Sequence, residues 1–476
     1  MTAKVLRSCR LCKSALRHFR SLSGCGRGVH TTFIDNDAET ADIVISGGGM
    51  VGTAMACALG NEPHLADKRI VLLESAPKKE FTLPENYSNR TCTVSPSTVN
   101  LLNSFGAWDE ILQMRCQPVK RMQVWESCSD SLITFNKDDM MGDLAFVVEN
   151  DVILEATRRS LTAMGDRVDV MYNTSASSYI IPGVTAGHKN VNQNSWVTIS
   201  TNDGKTIKTK LLIGADGMNS GVRKAGEFHT VKWDYKQLAL VATLHVTGVS
   251  ENTVAWQRFL PTGPLALLPL STERCCMIWT TTPENARNLR DLPVDSFVDA
   301  VNDALWHERD KDSTAMSLGQ SFQGILNGIF SSEMTDRQMP PTIVDVDDNS
   351  RAHFPLTLVH ASNYVLQRVA LIGDSAHRIH PLAGQGVNLG FGDVSCLRDI
   401  LVQSSQEGAD PGSLSYLTQY ETERQRAVLP VIATIEGLHR LYSTSLTPVV
   451  VLRSLGLQAT NAMTFLKDKI VGQASG

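Results

Sequence analysis

The sequence predicts an α/β protein, and three observations carry that prediction. Near the start, an apolar run meets a glycine-rich turn and a helix pattern of small residues. Late in the chain, a second apolar run ends in Gly373–Asp374 and leads into another glycine-rich turn and helix. Between them, residues 232–285 read as strands, rich in Val, Leu, Trp and Thr with turn breaks. The 476 residues suffice for two domains or one large elaborated one. Contents of 42% hydrophobic and 20% charged residues are ordinary for a soluble enzyme. No stretch approaches the roughly 18 uninterrupted apolar residues of a spanning helix.

The first element is a leader. Residues 1–34 hold seven Lys/Arg and neither Asp nor Glu. Lys4, Arg7, Arg10, Lys13, Arg17 and Arg20 recur at helical spacing, with Leu11, Leu16 and Phe19 between them. An amphipathic, Arg-rich, acid-free segment is the pattern of a mitochondrial presequence, whereas a secretory signal needs a continuous apolar core. A disordered basic tail is the plain alternative. Taking its seven cations from the 44 in the chain leaves 37 against 49 acidic residues, which argues against nucleic acid as a partner. Outside the leader the cysteines are scattered apart from Cys275–Cys276, as in a reducing compartment.

The next element is a dinucleotide cradle. Ile43, Val44 and Ile45 form a buried-strand run, and Gly47, Gly49 and Gly52 follow at G-x-G-x-x-G spacing. The spacing serves a tight turn, a close backbone approach to a pyrophosphate, and close packing of helix on strand. The following strand pattern, "KRIVLLESAP", ends at Glu74, twenty-two residues past Gly52, where a carboxylate accepts the ribose hydroxyls. A glycine turn in an ordinary α/β sheet is the bland reading, and the fingerprint alone does not separate NAD from FAD. In "SNRTCTVSPSTVNLLNSFGAW", Ser95 is an N-cap, Pro96 the first helical residue and Gly106 a stop. Arg90 precedes this helix in a loop, either as a solvated arginine or as a contact to a flavin phosphate.

The middle and rear supply two more corners. "KLLIGADGMNSGVRKAG" is a buried strand followed by Asp216–Gly217 and a loop that ends in Arg223. "YVLQRVALIGD" is a further strand that delivers Gly373–Asp374 at its C-terminal end, where ligands of open α/β sheets gather. "HPLAGQG" then turns, and a helix follows with Gly390, Val394, Leu397 and Leu401 on one face. Gly384 and Gly386 leave that helix N-terminus bare, so a flat ring that gains negative charge on reduction can lie against its N–H groups. His377 and His380 have no third ligand nearby, so no metal is expected. Residues 411–470 are helical in pattern.

"SGGGMVG", "IGADGMNSGVR" and "LIGDSAHRIHPLAGQGVNLGFGD", in this order, resemble the three flavin motifs of the para-hydroxybenzoate hydroxylase fold. "HPLAGQGVNLGFGDV" and "WQRFLPTGPLALLPL" are narrower and resemble the ring hydroxylases of ubiquinone biosynthesis. With the leader, the similarity is to the mitochondrial coenzyme Q ring monooxygenases of eukaryotes, and it runs from Asp42 to the C-terminus.

The resemblance implies an α/β fold: an FAD-binding, Rossmann-like domain from residues 40–117, 142–228 and 365–405. A substrate domain on a mixed β-sheet, 118–141 and 229–364, would interleave with it, before a helical region at 406–476. By position, Gly47, Gly49, Gly52 and Glu74 would hold the ADP half of FAD, and Arg90 would touch the flavin. Asp216–Gly217 would match the motif between domains, and Gly373–Asp374 the ribityl-binding pair. Gly384, Gln385 and Gly386 would border the flavin ring; no catalytic side chain is named beyond this loop.

The implied reaction inserts one O2-derived oxygen at ring carbon 5 of 4-hydroxy-3-polyprenylbenzoate. A later step would act at ring carbon 1 of a methoxy-polyprenylphenol. Electrons would come from NADPH through a ferredoxin reductase and ferredoxin. The enzyme would sit in a multi-subunit ubiquinone-biosynthesis complex, peripheral on the matrix side of the mitochondrial inner membrane. Val449, Val450, Val451, Leu455 and Leu457 are candidates for docking to that membrane, with a buried helical core as the alternative. Competing readings are another flavin monooxygenase of this fold, such as an epoxidase or other phenol hydroxylase, or a flavin-loaded structural subunit.

Overall fold

Strand Glu39–Ser46 carries Ile43, Val44 and Ile45 with no exposed surface at all, the signature of a parallel strand covered on both faces. It pairs in parallel with Ile70–Leu73 on one side and Thr206–Gly214 on the other. Asp169–Met171 and Val369–Leu371 extend the parallel block outward. The computed structural model describes residues 38–129, 131–136, 142–184, 195–307, 312–329 and 338–463, with 467. The leader, 1–34, therefore lies outside the described residues. Helices Met50–Gly60, Asn150–Ala163 and Gly386–Gln406 share one core with this sheet.

A second sheet holds nine strands among the described residues. The 18-residue strand Thr230–Thr247 runs through it, shifting register between Asp234 and Leu238, where Lys236 has φ +56°. Side chains alternate across this sheet. Trp256, Leu265, Leu267, Met277 and Trp279 face one way, packing with Phe297, Val301 and Leu305 of helix Val294–Trp306. Ala255, Gln257, Ala266, Leu268, Ile278 and Thr280 face the other way, into a cavity. Beside that cavity, Val124, Ala239 and Phe259 pack with Val428, Ile435 and Tyr442 of the Leu414–Tyr442 helix. A buried pair, Glu126–Arg453 at 2.5 Å, fastens helix Thr447–Ala462 to strand Arg121–Glu126.

Several local expectations need correction. Residues 229–364 are more than a sheet, because helices Pro283–Asp291, Val294–Trp306 and Ser313–Ile329 lie within them. The signal was present: Val294, Phe297, Val298, Val301 and Leu305 stand at helical spacing. Strand Thr91–Val94 separates Arg90 from its helix, and it anchors a small three-stranded sheet. Arg223 belongs to a short helix, Gly221–Ala225, and is buried. The strand before Gly373 is a hairpin, Val365–Leu366 with Val369–Leu371, turned at Arg368. Of the proposed docking residues, Val450 is 1% exposed and belongs to the core; Leu446 and Leu452 are the exposed leucines there, at 67% and 66%.

Candidate active site

Four of the parallel strands end at one edge of the first sheet, and each of these endings delivers a predicted residue. Ser46 leads to Gly47, Leu73 to Glu74, Gly214 to Ala215–Asp216, and Leu371 through Ile372 to Gly373–Asp374. Four segments, the outermost more than three hundred residues apart, are thus gathered by strand order alone.

Contacts confirm how tightly they meet. Gly47 has φ +111°, and a Cβ there would lie 2.5 Å from the Ala215 carbonyl oxygen. A Cβ on Gly52 would fall 1.9 Å from the carbonyl oxygen of Gly47, so the first helix turn has no room for a methyl group. The Glu74 carboxylate lies over Gly48, with one oxygen accepting from the Ala76 N–H at 2.6 Å. Asp216 Oδ2 accepts from the N–H groups of Gly221 and Val222, at 2.7 and 3.1 Å. Arg223 donates to the carbonyls of Met218 and Ser375, at 2.5 and 2.6 Å, tying the Asp216–Gly217 turn to the Gly373–Asp374 corner. Asp374 is exposed at the end of this corner. Poor solvation raises its pKa above the usual carboxylate value, against the nearby cations Arg378 and Arg223.

The ring loop lies at the far side. Gly384 is left-handed, at φ +62°, and stands beside Thr93; Gly386 opens the Gly386–Gln406 helix. Gly384 and Gln385 line the same cavity as the alternating face of the second sheet, together with Thr93, Met122, Phe135 and Leu382. Asn388, for which the sequence had suggested no role, knits this wall together. Its side chain donates to the Thr93 carbonyl at 2.8 Å and accepts from the Ser95 N–H at 3.0 Å. Before the loop, His380 is fully buried, and its Nδ1 accepts from the Leu382 N–H at 3.1 Å. Burial pushes its pKa down to about 3, with His439 adding to the effect, so the ring stays neutral.

Arg90 stands apart. It is exposed, its N–H donates to Ser88 Oγ at 3.1 Å, and its carbonyl accepts from the Asn150 N–H.

The gathered residues fit FAD. A Cβ on Gly49 would meet no atom within 4 Å, leaving open space over the helix N-terminus. Asp216 Oδ1 is buried with no hydrogen-bond partner among the described residues. These residues would hold an extended molecule from the ribose at Glu74 to a ring beside Gly384–Gly386.

The profile of the family described as FAD binding domain matches residues 40–316 and 332–434. The ubiquinone biosynthesis monooxygenase COQ6, mitochondrial, of Xenopus tropicalis is 51% identical over 457 residues, covering 96% of this chain and 95% of its own. The human protein of that name is 50% identical over 435 residues, covering 91% and 92%. The Saccharomyces cerevisiae protein is 30% identical over 461 residues, covering 92% and 94%. Among solved structures, p-nitrophenol 4-monooxygenase PnpA from Pseudomonas putida DLL-E4 superposes with a TM-score of 0.65 at 18% identity, covering 92% of this chain and 99% of its own. That last likeness shows the fold. The chain belongs to the family with this FAD-binding domain, and within it to the COQ6-type ubiquinone biosynthesis monooxygenases: it is an FAD-dependent flavoprotein monooxygenase.

Proposed function

We propose that the protein hydroxylates the ring of a polyprenylated phenol, inserting one oxygen atom of O2 at ring carbon 5 of 4-hydroxy-3-polyprenylbenzoate. The observation that carries this reading is the shared cavity. One wall is the Gly384–Gln385 loop; the other is a sheet face of Ala255, Ala266, Leu268 and Ile278. An apolar wall facing the flavin loop suits a flat aromatic ring with a greasy substituent.

When bound, FAD supplies the reductive activation of O2, and the second oxygen atom leaves as water. The chain's own work is positioning and exclusion of water. Glu74 and Asp216 would hold the two ends of the nucleotide half, and Asp374 the polyol chain. Thr93, Gln257, Thr280 and Gln385 are the cavity's polar side chains that make no hydrogen bond among the described residues, so they would take the ring's oxygen substituents.

Electrons would arrive from NADPH through a ferredoxin reductase and ferredoxin, since the bound FAD must be reduced in each turnover. A polyprenyl tail requires contact with a bilayer, on the matrix face of the inner membrane and within a biosynthetic complex. Among the described residues no helix is long and apolar enough to cross a membrane. Exposed Leu446 and Leu452 are the proposed contact.

Cells lacking the protein should accumulate the prenylated 4-hydroxybenzoate, and the purified FAD-loaded chain with O2 and a reducing system should hydroxylate it. Accumulation of an unrelated aromatic compound, with no hydroxylation in vitro, would refute the assignment.

A further inference from the structure

Asp393 sits in the third turn of the Gly386–Gln406 helix, where a carboxylate caps nothing. It is fully buried, and such a group is costly unless its oxygens are saturated. Three segments saturate it. Oδ2 accepts from the Gly373 N–H at 2.8 Å and from His377 Nε2 at 2.7 Å. Oδ1 accepts from Arg424 Nε at 2.7 Å, and Arg424 also donates to the Leu389 carbonyl at 3.0 Å. Burial opposes the charge, but His377, Arg424 and the Gly373 N–H together hold the Asp393 pKa below the usual carboxylate range.

The group these bonds act on is the residue directly before Asp374. Gly373 has φ +59°, a left-handed turn directly before the exposed Asp374, and its N–H is fixed from behind by Asp393. The carbonyl side is fixed by Arg223, which donates to Ser375 O at 2.6 Å and to Asp374 O at 3.4 Å. The corner is held from both ends, by an anion on one and a cation on the other.

We infer that Asp393, with His377 and Arg424, is the positioning device of the flavin site: it aims the Asp374 carboxylate. This rests on Asp374 holding the polyol chain of FAD. It also makes helix Leu414–Tyr442, which carries Arg424, part of the coenzyme site at second hand. Asp393→Asn removes the charge and, in either amide orientation, sets an N–H against the Gly373 N–H or the Arg424 guanidinium, so the grip on the corner loosens.

The test is the FAD dissociation constant of the full chain for Asp393→Asn, His377→Gln and Asp374→Ala. Visible circular dichroism of the bound flavin and the thermal midpoint of the apoprotein complete it. Asp393→Asn should bind FAD at least tenfold more weakly, with a changed flavin dichroism band. His377→Gln, which keeps the Gly373 bond, should fall between it and wild type. A purely packing role would lower the apoprotein midpoint and leave affinity and dichroism alone, and that result overturns the inference. If Asp393→Asn is insoluble, His377→Gln decides: affinity within twofold of wild type and an unchanged band also overturn it. Should Asp374→Ala itself bind FAD like wild type, the polyol assignment fails instead.

Discussion

Gly390 packs directly on Val51: a Cβ at Gly390 would stand 2.8 Å from Val51 Cγ2. The helix of the late glycine segment thus rests on the helix of the first, although 339 positions separate the two residues. One coenzyme can span both corners because the corners touch.

The glycines of the first corner should separate by what surrounds them. Gly52→Ala forces a methyl group onto the Gly47 carbonyl oxygen and should give an apoprotein that is unstable or does not retain FAD. Gly49→Ala meets no protein atom, so the apoprotein should melt as wild type does. Its FAD affinity should nonetheless fall if, as proposed, the pyrophosphate approaches that face. Unchanged affinity in Gly49→Ala, measured by flavin titration, would place the coenzyme elsewhere.

Ala266 lies on the cavity face of strand Gly263–Pro269, its neighbours Leu265 and Leu267 pointing into the opposite core. Ala266→Phe should fill the ring site and abolish hydroxylation while leaving the flavin content of the purified protein unchanged. Loss of FAD together with activity would mean that this wall belongs to the coenzyme site.

The corners were legible because phosphate and polyol binding constrain sequence locally: a fingerprint, a carboxylate at fixed spacing, a strand ending in Gly–Asp. The wall opposite the flavin loop was not. Ala255, Gln257, Ala266 and Thr280 come together only through strand pairing, which no local pattern specifies. Asp393 lay between these cases. It stands three residues after Gly390 and four before Leu397, on the face read as buried, and a carboxylate there signals a partner without naming it. Its partners, Gly373, His377 and Arg424, needed coordinates.

Glu126 and Arg453 join strand and C-terminal helix with almost no exposed surface, and Ser129 and Ser454 each donate to Glu126 Oε1 at 2.6 Å. Glu126→Ala strands a buried guanidinium and should cost about 3–5 kcal/mol. Glu126→Gln with Arg453→Met should recover much of that loss, since neither residue is then charged. Chemical denaturation of the three chains tests this, and a double variant no better than the single one would count against the pairing.

His380 predicts acid sensitivity. Its folded-state pKa of about 3 lies below the ordinary 6.5, so the folded protein binds this proton less readily than the unfolded chain does. The stabilisation from keeping it neutral is complete above pH 6.5 and is lost as pH falls toward 3. One proton at ~1.36 kcal/mol per unit gives a loss of roughly 2 kcal/mol between pH 6.5 and 5. His439 and His360 are shifted in the same direction by burial and steepen the slope. Around His380 stand the rings of Tyr235 and His439, at 4.8 and 5.4 Å, with Glu436 bonded to the Tyr235 hydroxyl. A new proton on Nδ1 would meet the Leu382 N–H, which already donates there, so two donors would face each other. His380→Asn keeps an acceptor for Leu382 and removes the titration, so its stability between pH 6.5 and 5 should fall by about one proton's slope less than wild type. Parallel curves for the two proteins would show that His380 is not the group being charged.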